Sequence, residues 1–211
     1  MRRVFVDPAA PQRDALNEAA KWIRAGGVVA IPTDTLYALA ADPFNAAAVR
    51  RVFAIKGRTA ERALPLIAAD AAQIGTHLGR LSDAGERLAE RFWPGPLTLL
   101  VDAPHTLATE VTGRTGHVGV RVPDDAVARA ICRAVGRPVT ATSANVSGQP
   151  ASSDPDDVER TLGARIDLLI DTGPTRGGAP STIADATRYP PELVRSGAVS
   201  WEEIRACLDL N

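Results

Sequence analysis

Cysteines, aromatic residues and net charge are all scarce in this sequence. The two cysteines, Cys132 and Cys207, lie far apart and no CxxC motif occurs, so neither a disulfide framework nor a zinc site is indicated. Aromatic residues make up 4% of the chain, so the core must be built from alanine, valine, leucine and isoleucine. The formal net charge of −1 argues against the wide phosphate-binding surface of a general nucleic-acid-binding protein.

Long apolar runs are also absent. No run reaches the roughly 18 residues of a membrane span, and the N-terminus lacks the apolar stretch of a signal peptide. We therefore expect a cytoplasmic protein with no membrane contact. The three histidines, His77, His105 and His117, are scattered along the chain, and we interpret them as surface or loop residues.

The composition that remains is that of an ordinary globular domain. Hydrophobic residues make up 45% and charged residues 23% of the chain, as is usual for globular proteins. The length of 211 residues is within the range of one large α/β domain. No repeat, low-complexity segment or linker divides the chain, so we predict a single domain over residues 1–211.

Predicted strands alternate with predicted helices almost throughout. Short apolar runs predict strands over residues 28–32, 64–68, 97–102, 118–122, 139–143, 166–171, 181–185 and 192–195. Helical spacing and capping residues predict helices over residues 11–25, 45–55, 84–92, from Asp124 or Asp125 to 135, after Asp154 and after Ser200. This pattern predicts an α/β fold with a mixed twisted sheet and flanking helices, because the late strands are not separated by long helices.

The loop at residues 32–37, Pro-Thr-Asp-Thr-Leu-Tyr, directly follows a predicted buried strand. Polar groups at the end of such a strand project into the crevice where open α/β sheets bind ligands, and Thr33 and Thr35 each offer a hydroxyl there. The alternative is an ordinary strand-to-loop turn in which Asp34 serves as a capping residue.

Two further loops carry groups suited to phosphate. Lys56, Arg58 and Arg62 offer one ammonium and two guanidinium groups to a triphosphate, or else form a solvated basic stretch after a helix. Residues 142–148, Thr-Ser-Ala-Asn-Val-Ser-Gly, follow a strand with short donors that can hold phosphate or ribose oxygens, or else form a plain polar turn.

Two arginines lie on predicted strands. Arg121 is embedded in an apolar strand, where a guanidinium needs a partner. That partner is either the carboxylate of a substrate, held in a bidentate fork, or an internal Asp or Glu. Arg195 ends its strand, where it could face a cleft beside the stretch at residues 180–185, and a glycine-rich loop at residues 174–180 leads into that stretch.

No Walker A, GxGxxG, GxSxG or HExxH motif is present, so these residues by themselves predict only an anion-binding α/β protein. Taken together, however, eight stretches resemble the YrdC/TsaC family of threonylcarbamoyl-AMP synthases, in the family's order. They are PTDTLY at 32–37, KGR at 56–58, LPLI at 64–67, WPGPLTLLV at 93–101, VGVRVP at 118–123, TSANVSG at 142–148, STIAD at 181–185 and VRSGA at 194–198.

The resemblance implies a YrdC-like fold with a concave, positively charged cavity and a motif-bearing core at about residues 12–200. It implies that ATP, with Mg²⁺, reacts with L-threonine and bicarbonate to give L-threonylcarbamoyladenylate and pyrophosphate. Downstream transfer proteins would then carry the group to adenosine 37 of tRNA, so tRNA contact with this chain would be indirect. The resemblance also implies the short, single-domain form of the family.

The same resemblance assigns the site residues. The residues matched to ATP are Lys56, Arg58, Arg62, Ser143, Asn145 and Arg195, of which Lys56 and Arg58 are expected to be catalytic. The residues matched to threonine are Thr35, Arg121, Ala141 and Ser181, with Arg121 on the carboxylate and Ala141 contributing its carbonyl. No protein ligand to a metal is expected.

The sequence departs from the family pattern at three positions. Ala38 replaces the glycine that usually follows Tyr37, which could narrow the cavity floor or restrict φ, and Thr59 and Ala63 stand where prolines are common. Two other functions stay open at this point, an RNA-binding module and a relative that forms a carbamoyl-adenylate.

Overall fold

The computed structural model describes residues 1–57 and 63–210, which form two mixed β-sheets with helices packed against them. The predicted α/β class and mixed strand directions are confirmed, but the strands divide between two sheets rather than one. Within the described residues there are eleven strands, seven α-helices and one 3₁₀ helix.

The five-stranded sheet contains the strand that precedes the loop at residues 32–37. Its order is β1 (Arg2–Phe5), β9 (Leu168–Asp171), β2 (Val29–Ile31), β3 (Ala38–Ala40) and β8 (Thr142–Ser143). The pairs of β9 with β1 and β2 are parallel, and the pairs of β3 with β2 and β8 are antiparallel.

The six-stranded sheet contains the two candidate arginines that lie on strands, Arg121 and Arg195. Its order is β11 (Glu192–Arg195), β10 (Thr182–Asp185), β5 (Leu97–Asp102), β6 (His117–Arg121), β4 (Leu66–Ile67) and β7 (Val139–Thr140). Pro65 comes just before β4, which confirms the predicted strand-end position for that proline.

The segment at residues 139–143 passes from one sheet to the other, so its prediction as a single strand was wrong. Val139 pairs with Ile67 of the six-stranded sheet, whereas Ser143 pairs with Ala38 of the five-stranded sheet. Between them the backbone N–H of Ala141 donates to the carbonyl of Pro65 at 2.8 Å. An apolar run predicts extended backbone but does not reveal a change of partner sheet.

Seven helices cover the sheets. They are α1 (Arg13–Arg24), α2 (Ala46–Lys56), α3 (Ala71–His77), α4 (Asp83–Phe92), α5 (Ala126–Val135), α6 (Pro155–Leu162) and α7 (Trp201–Cys207). Helices α1 and α5 pack on one face of the five-stranded sheet, and α2 and α6 join the core between the two sheets. Helices α4 and α7 pack against β5 and β10.

The predicted capping residues are confirmed. The side chain of Asn45 accepts from the backbone N–H groups of Ala47 and Ala48, and Asp125, rather than Asp124, caps α5. Ser200 and Glu203 form the expected capping box at α7.

The elements that were not predicted are short, and several of them contain few residues with a strong preference for helix or strand. Strand β3 is Ala-Leu-Ala, and helix α3 contains a glycine and a threonine, which lower helix propensity. Strand β1 and the 3₁₀ helix Thr109–Thr112 were also missed. These segments are ordered by tertiary pairing more than by their own pattern.

We expect Asn45→Ala to lower the free energy of unfolding by about 1 kcal/mol, because two N–H groups at the start of α2 lose their side-chain acceptor. Urea unfolding followed by circular dichroism would measure this loss. Asn45→Asp keeps an acceptor at the same position and is the matched control. Equal losses in the two variants would contradict the capping role.

Candidate active site

The loop at residues 32–37 is shaped largely by its own side chains. The Thr33 hydroxyl donates to the carbonyl of Leu36 at 2.7 Å and accepts from the backbone N–H groups of Thr35 and Leu36 at 3.2 and 3.3 Å. This local bonding closes a compact turn between β2 and β3. Thr33 is therefore a structural residue of the loop, and the hydroxyl of Thr35 lies 3.2 Å from it.

Asp34 does not cap this turn, as one interpretation of the sequence had it, but forms an ion pair with Arg121. Nη1 of Arg121 lies 2.6 Å from Oδ1 and 2.9 Å from Oδ2 of Asp34. Both side chains are nearly inaccessible, with 5% of Asp34 and 9% of Arg121 exposed. The internal salt bridge that was one of the two expectations for Arg121 is thus observed, and it joins the two sheets.

Arg195 and Ser181 form a second cluster, at the six-stranded sheet that also contains Arg121. The guanidinium of Arg195 donates to the carbonyl of Ser181 at 2.6 Å and to its hydroxyl at 3.1 Å. The same hydroxyl lies 2.8 Å from Oγ1 of Thr98 on β5. Desolvation, and then the nearby positive charge of Arg121, lower the pKa of Arg195. The two guanidinium groups are therefore electrostatic neighbours, with the carboxylate of Asp34 beside one of them.

A cavity of about 320 Å³ opens at the loop that carries Asp34 and Thr35. Its lining residues are Asp34, Thr35, Pro94, Gly95, Pro96, Asp124, Arg176, Gly177, Gly178, Ala179 and Ala198. Arg176 lies 3.2 Å from Asp124, so one ion pair lines this cavity, and Asp34 is the member of the Asp34–Arg121 pair that lines it. The side chains of Arg121, Ser181 and Arg195 are not part of the lining. Cations and hydroxyl groups that meet at a concave site can bind a small carboxylate.

The glycine-rich loop at residues 173–178 is fixed against Thr35. The carbonyl of Thr35 accepts from the backbone N–H of Gly177 and from the hydroxyl of Thr175, both at 2.8 Å. Gly177 and Gly178 have positive φ angles of 69° and 100°, a backbone conformation that residues other than glycine rarely adopt. The backbone can therefore approach Thr35 closely on that side of the cavity.

Lys56, Ser143 and Asn145 come together as the sequence predicted. Nζ of Lys56 donates to the carbonyls of Ser143 and Asn145 at 2.6 and 3.0 Å and to Oδ1 of Asn145 at 2.9 Å. The hydroxyl of Ser143 donates to the same Oδ1 at 2.6 Å. Lys56 is only 2% exposed, so its ammonium group organises the loop at residues 143–145 from beneath.

The loop at residues 32–37 connects this lysine cluster to the arginine cluster. At one end Asp34 binds Arg121, and at the other the carbonyl of Tyr37 accepts from the N–H of Ala144 at 2.9 Å. The lysine cluster and the arginine cluster therefore flank one loop. Arg195, which the resemblance matched to ATP, lies with Ser181 in the arginine cluster and not with Lys56. Arg58 and Arg62 lie outside the described residues, as does Thr59.

Ala38 and Ala141 lie in the backbone framework around the site. Ala38 begins β3, pairs with Ser143 and is 4% exposed. Its φ is not positive, so the methyl group that replaces the family's glycine imposes no backbone strain. Ala141 lies where the chain passes between sheets.

Tyr37 anchors the loop at residues 32–37 to residues 172–173, a role that its place in the sequence did not reveal. Its fully buried hydroxyl donates to the carbonyl of Gly173 at 2.8 Å and accepts from the N–H of Thr172 at 3.2 Å. Burial raises the pKa of this hydroxyl, which keeps it protonated as a donor. The sequence showed only a tyrosine in a polar loop. Its hydrogen-bond partners lie 135 and 136 residues further along the chain, so no local pattern could identify them.

A larger cavity of about 660 Å³ lies between α3, α4 and α5, and none of the predicted site residues that the structure describes lines it. Among residues 1–57 and 63–210, no three histidine, cysteine, aspartate or glutamate side chains are grouped so as to hold a metal ion. Over the same residues, no helix is long and apolar enough to cross a membrane.

Comparison with known proteins gives a consistent result. The family model named Sua5/YciO/YrdC, with the description "Telomere recombination", matches residues 21–197. The threonylcarbamoyl-AMP synthase of Pyrococcus abyssi is 39% identical over 186 residues, which cover 88% of this chain and 55% of that protein. The threonylcarbamoyl-AMP synthase of Thiobacillus denitrificans is 39% identical over 164 residues, covering 78% and 87%.

Among solved structures, Sua5 of Pyrococcus abyssi, crystallised with L-threonine, superposes with a TM-score of 0.93 at 35% identity. The superposition covers 99% of this chain and 61% of that one. The chain thus spans little more than half of the Pyrococcus protein but most of the Thiobacillus one.

We expect Lys56→Met to lower the free energy of unfolding by about 1–3 kcal/mol without any ligand, because the partly buried acceptors on Ser143 and Asn145 lose their donor. Lys21→Met is the matched control, since Lys21 is exposed on α1. Urea unfolding of both variants measures the difference. Equal stability of the two variants would contradict this role of Lys56.

Proposed function

The chain belongs to the Sua5/YciO/YrdC family, and from that membership we propose that it makes L-threonylcarbamoyladenylate and pyrophosphate from ATP, L-threonine and bicarbonate. The product is the activated group of the first step in N6-threonylcarbamoyladenosine modification at position 37 of tRNA. The proposal covers a single YrdC-like domain over residues 1–211.

The observation that carries the proposal is the grouping of Arg121 and Arg195 in one sheet, with Ser181 bonded to Arg195 and with Arg121 bound to Asp34, which lines a cavity beside Thr35. Two guanidinium groups and two hydroxyl groups are donors suited to the carboxylate and hydroxyl of an amino acid. We assign Thr35, Arg121, Ser181 and the carbonyl of Ala141 to L-threonine. Arg121 would bind the carboxylate, which gives a buried strand arginine a ligand as well as an internal partner.

The cluster of Lys56, Ser143 and Asn145 supports a neighbouring phosphate site. We assign Lys56, Arg58, Arg62, Ser143, Asn145 and Arg195 to ATP, with Arg58 and Arg62 assigned from the sequence alone. Lys56 fixes the loop that carries the Ser143 hydroxyl and adds a positive charge beneath it. Charge and fixed donors at this place would stabilise the charge that develops during displacement at the α-phosphorus.

The proposed reaction needs little proton transfer from the protein. The amine of threonine adds to CO₂ from bicarbonate, and a carboxylate oxygen of the resulting N-carboxythreonine bonds to the α-phosphorus of ATP. The bond from that phosphorus to the bridging oxygen breaks, and pyrophosphate leaves. A carbamate is already nucleophilic, so catalysis consists of orienting the two substrates and neutralising charge. A histidine or cysteine nucleophile is unnecessary in this scheme.

Mg²⁺ would enter as part of the MgATP substrate. An ion that enters in this way is held chiefly by phosphate oxygens and water, with few protein ligands of its own. Downstream threonylcarbamoyl-transfer proteins would take up the adenylate, and contact with tRNA would be indirect. ATP and free threonine are abundant in the cytoplasm, where we place the reaction.

The purified protein should release pyrophosphate only when ATP, L-threonine and bicarbonate are all present, because each supplies atoms of the product. A coupled pyrophosphate assay with single omissions measures this. Release with carbamoyl phosphate in place of threonine and bicarbonate would indicate a carbamoyl-adenylate enzyme instead. RNA binding that weakens steeply with salt, without pyrophosphate release, would indicate an RNA-binding module.

Arg58→Ala should lower kcat/KM by roughly 30- to 1,000-fold, because one guanidinium on the phosphates contributes about 2–4 kcal/mol to the transition state. Arg50→Ala is the control, since Arg50 is exposed on α2 and pairs with Glu110. Steady-state pyrophosphate release measures both variants. Wild-type turnover in Arg58→Ala would refute the assignment.

A further inference from the structure

Asp34 has no part in the reaction as proposed so far, yet its carboxylate contacts Arg121, which we assign to the amino acid. It follows β2 of the five-stranded sheet and pairs with Arg121 at the end of β6 in the six-stranded sheet. It also lines the cavity of about 320 Å³ beside Thr35. Its position is therefore suited to act on whatever Arg121 binds.

The geometry of the pair leaves most of the guanidinium available. Both oxygens of Asp34 contact the single nitrogen Nη1, at 2.6 and 2.9 Å. The third contact, with the carbonyl of Gly95 at 3.5 Å, also comes from Nη1. Over residues 1–57 and 63–210, Nε and Nη2 of Arg121 make no hydrogen bond. A pair built for stability alone would favour the fork arrangement, in which two nitrogens bind two oxygens.

Arg195, in the same sheet, is a second cation that acts on Arg121. The positive charge of Arg121 contributes to lowering the pKa of Arg195, so the two guanidinium groups repel each other. The carboxylate of Asp34 neutralises one of them and keeps Arg121 in place. Asp34, Arg121 and Arg195 together carry one net positive charge, which suits a ligand with a single carboxylate.

We propose that Asp34 is a positioning residue for amino acid binding: it holds Arg121 through Nη1, so that the Nη2 and Nε edge is directed at the carboxylate of the ligand. This inference rests on the proposed function, because it takes L-threonine as the ligand. Asp34 also repels that carboxylate, so the two effects oppose each other. The positioning effect dominates, because without Asp34 the repulsion from Arg195 displaces Arg121 from its binding orientation.

The test compares two ligands that differ only at the carboxyl group. L-Threonine and L-threoninamide, which lacks the carboxylate, are titrated calorimetrically into the wild type, Asp34→Ala and Asp34→Asn. Asp34→Ala should bind L-threonine about tenfold more weakly or worse, since it loses a hydrogen bond between charged groups that orients the clamp. Asp34→Asn keeps an acceptor for Nη1 but loses the negative charge, so it should recover part of the affinity. L-Threoninamide should bind all three proteins equally.

Asp42→Ala is the matched control. Asp42 is also a largely buried carboxylate that faces an arginine, with 3.5 Å between its Oδ2 and Nη1 of Arg137, but it does not line the cavity. Its L-threonine affinity should equal that of the wild type.

Unchanged or tighter L-threonine binding by Asp34→Ala would overturn the inference. An equal loss for both ligands would also overturn it, because that result indicates general damage to the fold. A wild-type protein that binds no L-threonine would refute the proposed function itself, which is a distinguishable result.

Discussion

The buried ion pair between Asp34 and Arg121 is the contact on which the arrangement of the site depends. Its two members come from different sheets, so forming it brings the loop at residues 32–37 against the end of β6. A buried pair of this kind gives little net stability, because desolvation offsets much of the attraction. It does impose geometry, since either charge left alone in the interior would be costly. The same pair fixes the guanidinium of Arg121, whose positive charge contributes to lowering the pKa of Arg195.

The loop at residues 32–37 then joins the amino acid and phosphate halves of the proposed site. Backbone pairing of Tyr37 and Ala38 with residues 143–144 ties it to the Lys56 cluster, and the carbonyl of Thr35 holds the glycine-rich loop. The groups of the proposed reaction are thus supported by backbone hydrogen bonds and buried charges. Such support suits a reaction whose catalysis consists of positioning and charge neutralisation, with no nucleophilic side chain.

Much of the fold followed from local pattern. The capping residues Asn45, Asp154 and Ser200 predicted helix starts correctly, because capping depends on neighbouring backbone groups. Strand β5 was predicted at its observed bounds, since a buried run next to a turn leaves few alternatives. The division into two sheets was not predictable, because residues 139–143 change partners without any change in their apolar character.

The sequence by itself determined the α/β class, the helix caps and the set of motifs that resembles one enzyme family, because each depends on residue type and local spacing. Only the tertiary structure decided which of those residues meet. It joined Arg121 to Asp34 across two sheets and enclosed the Lys56 ammonium within the loop at residues 143–145. The physical reason is that charge pairing and burial act between groups about 90 residues apart in the chain, and no local pattern specifies that distance.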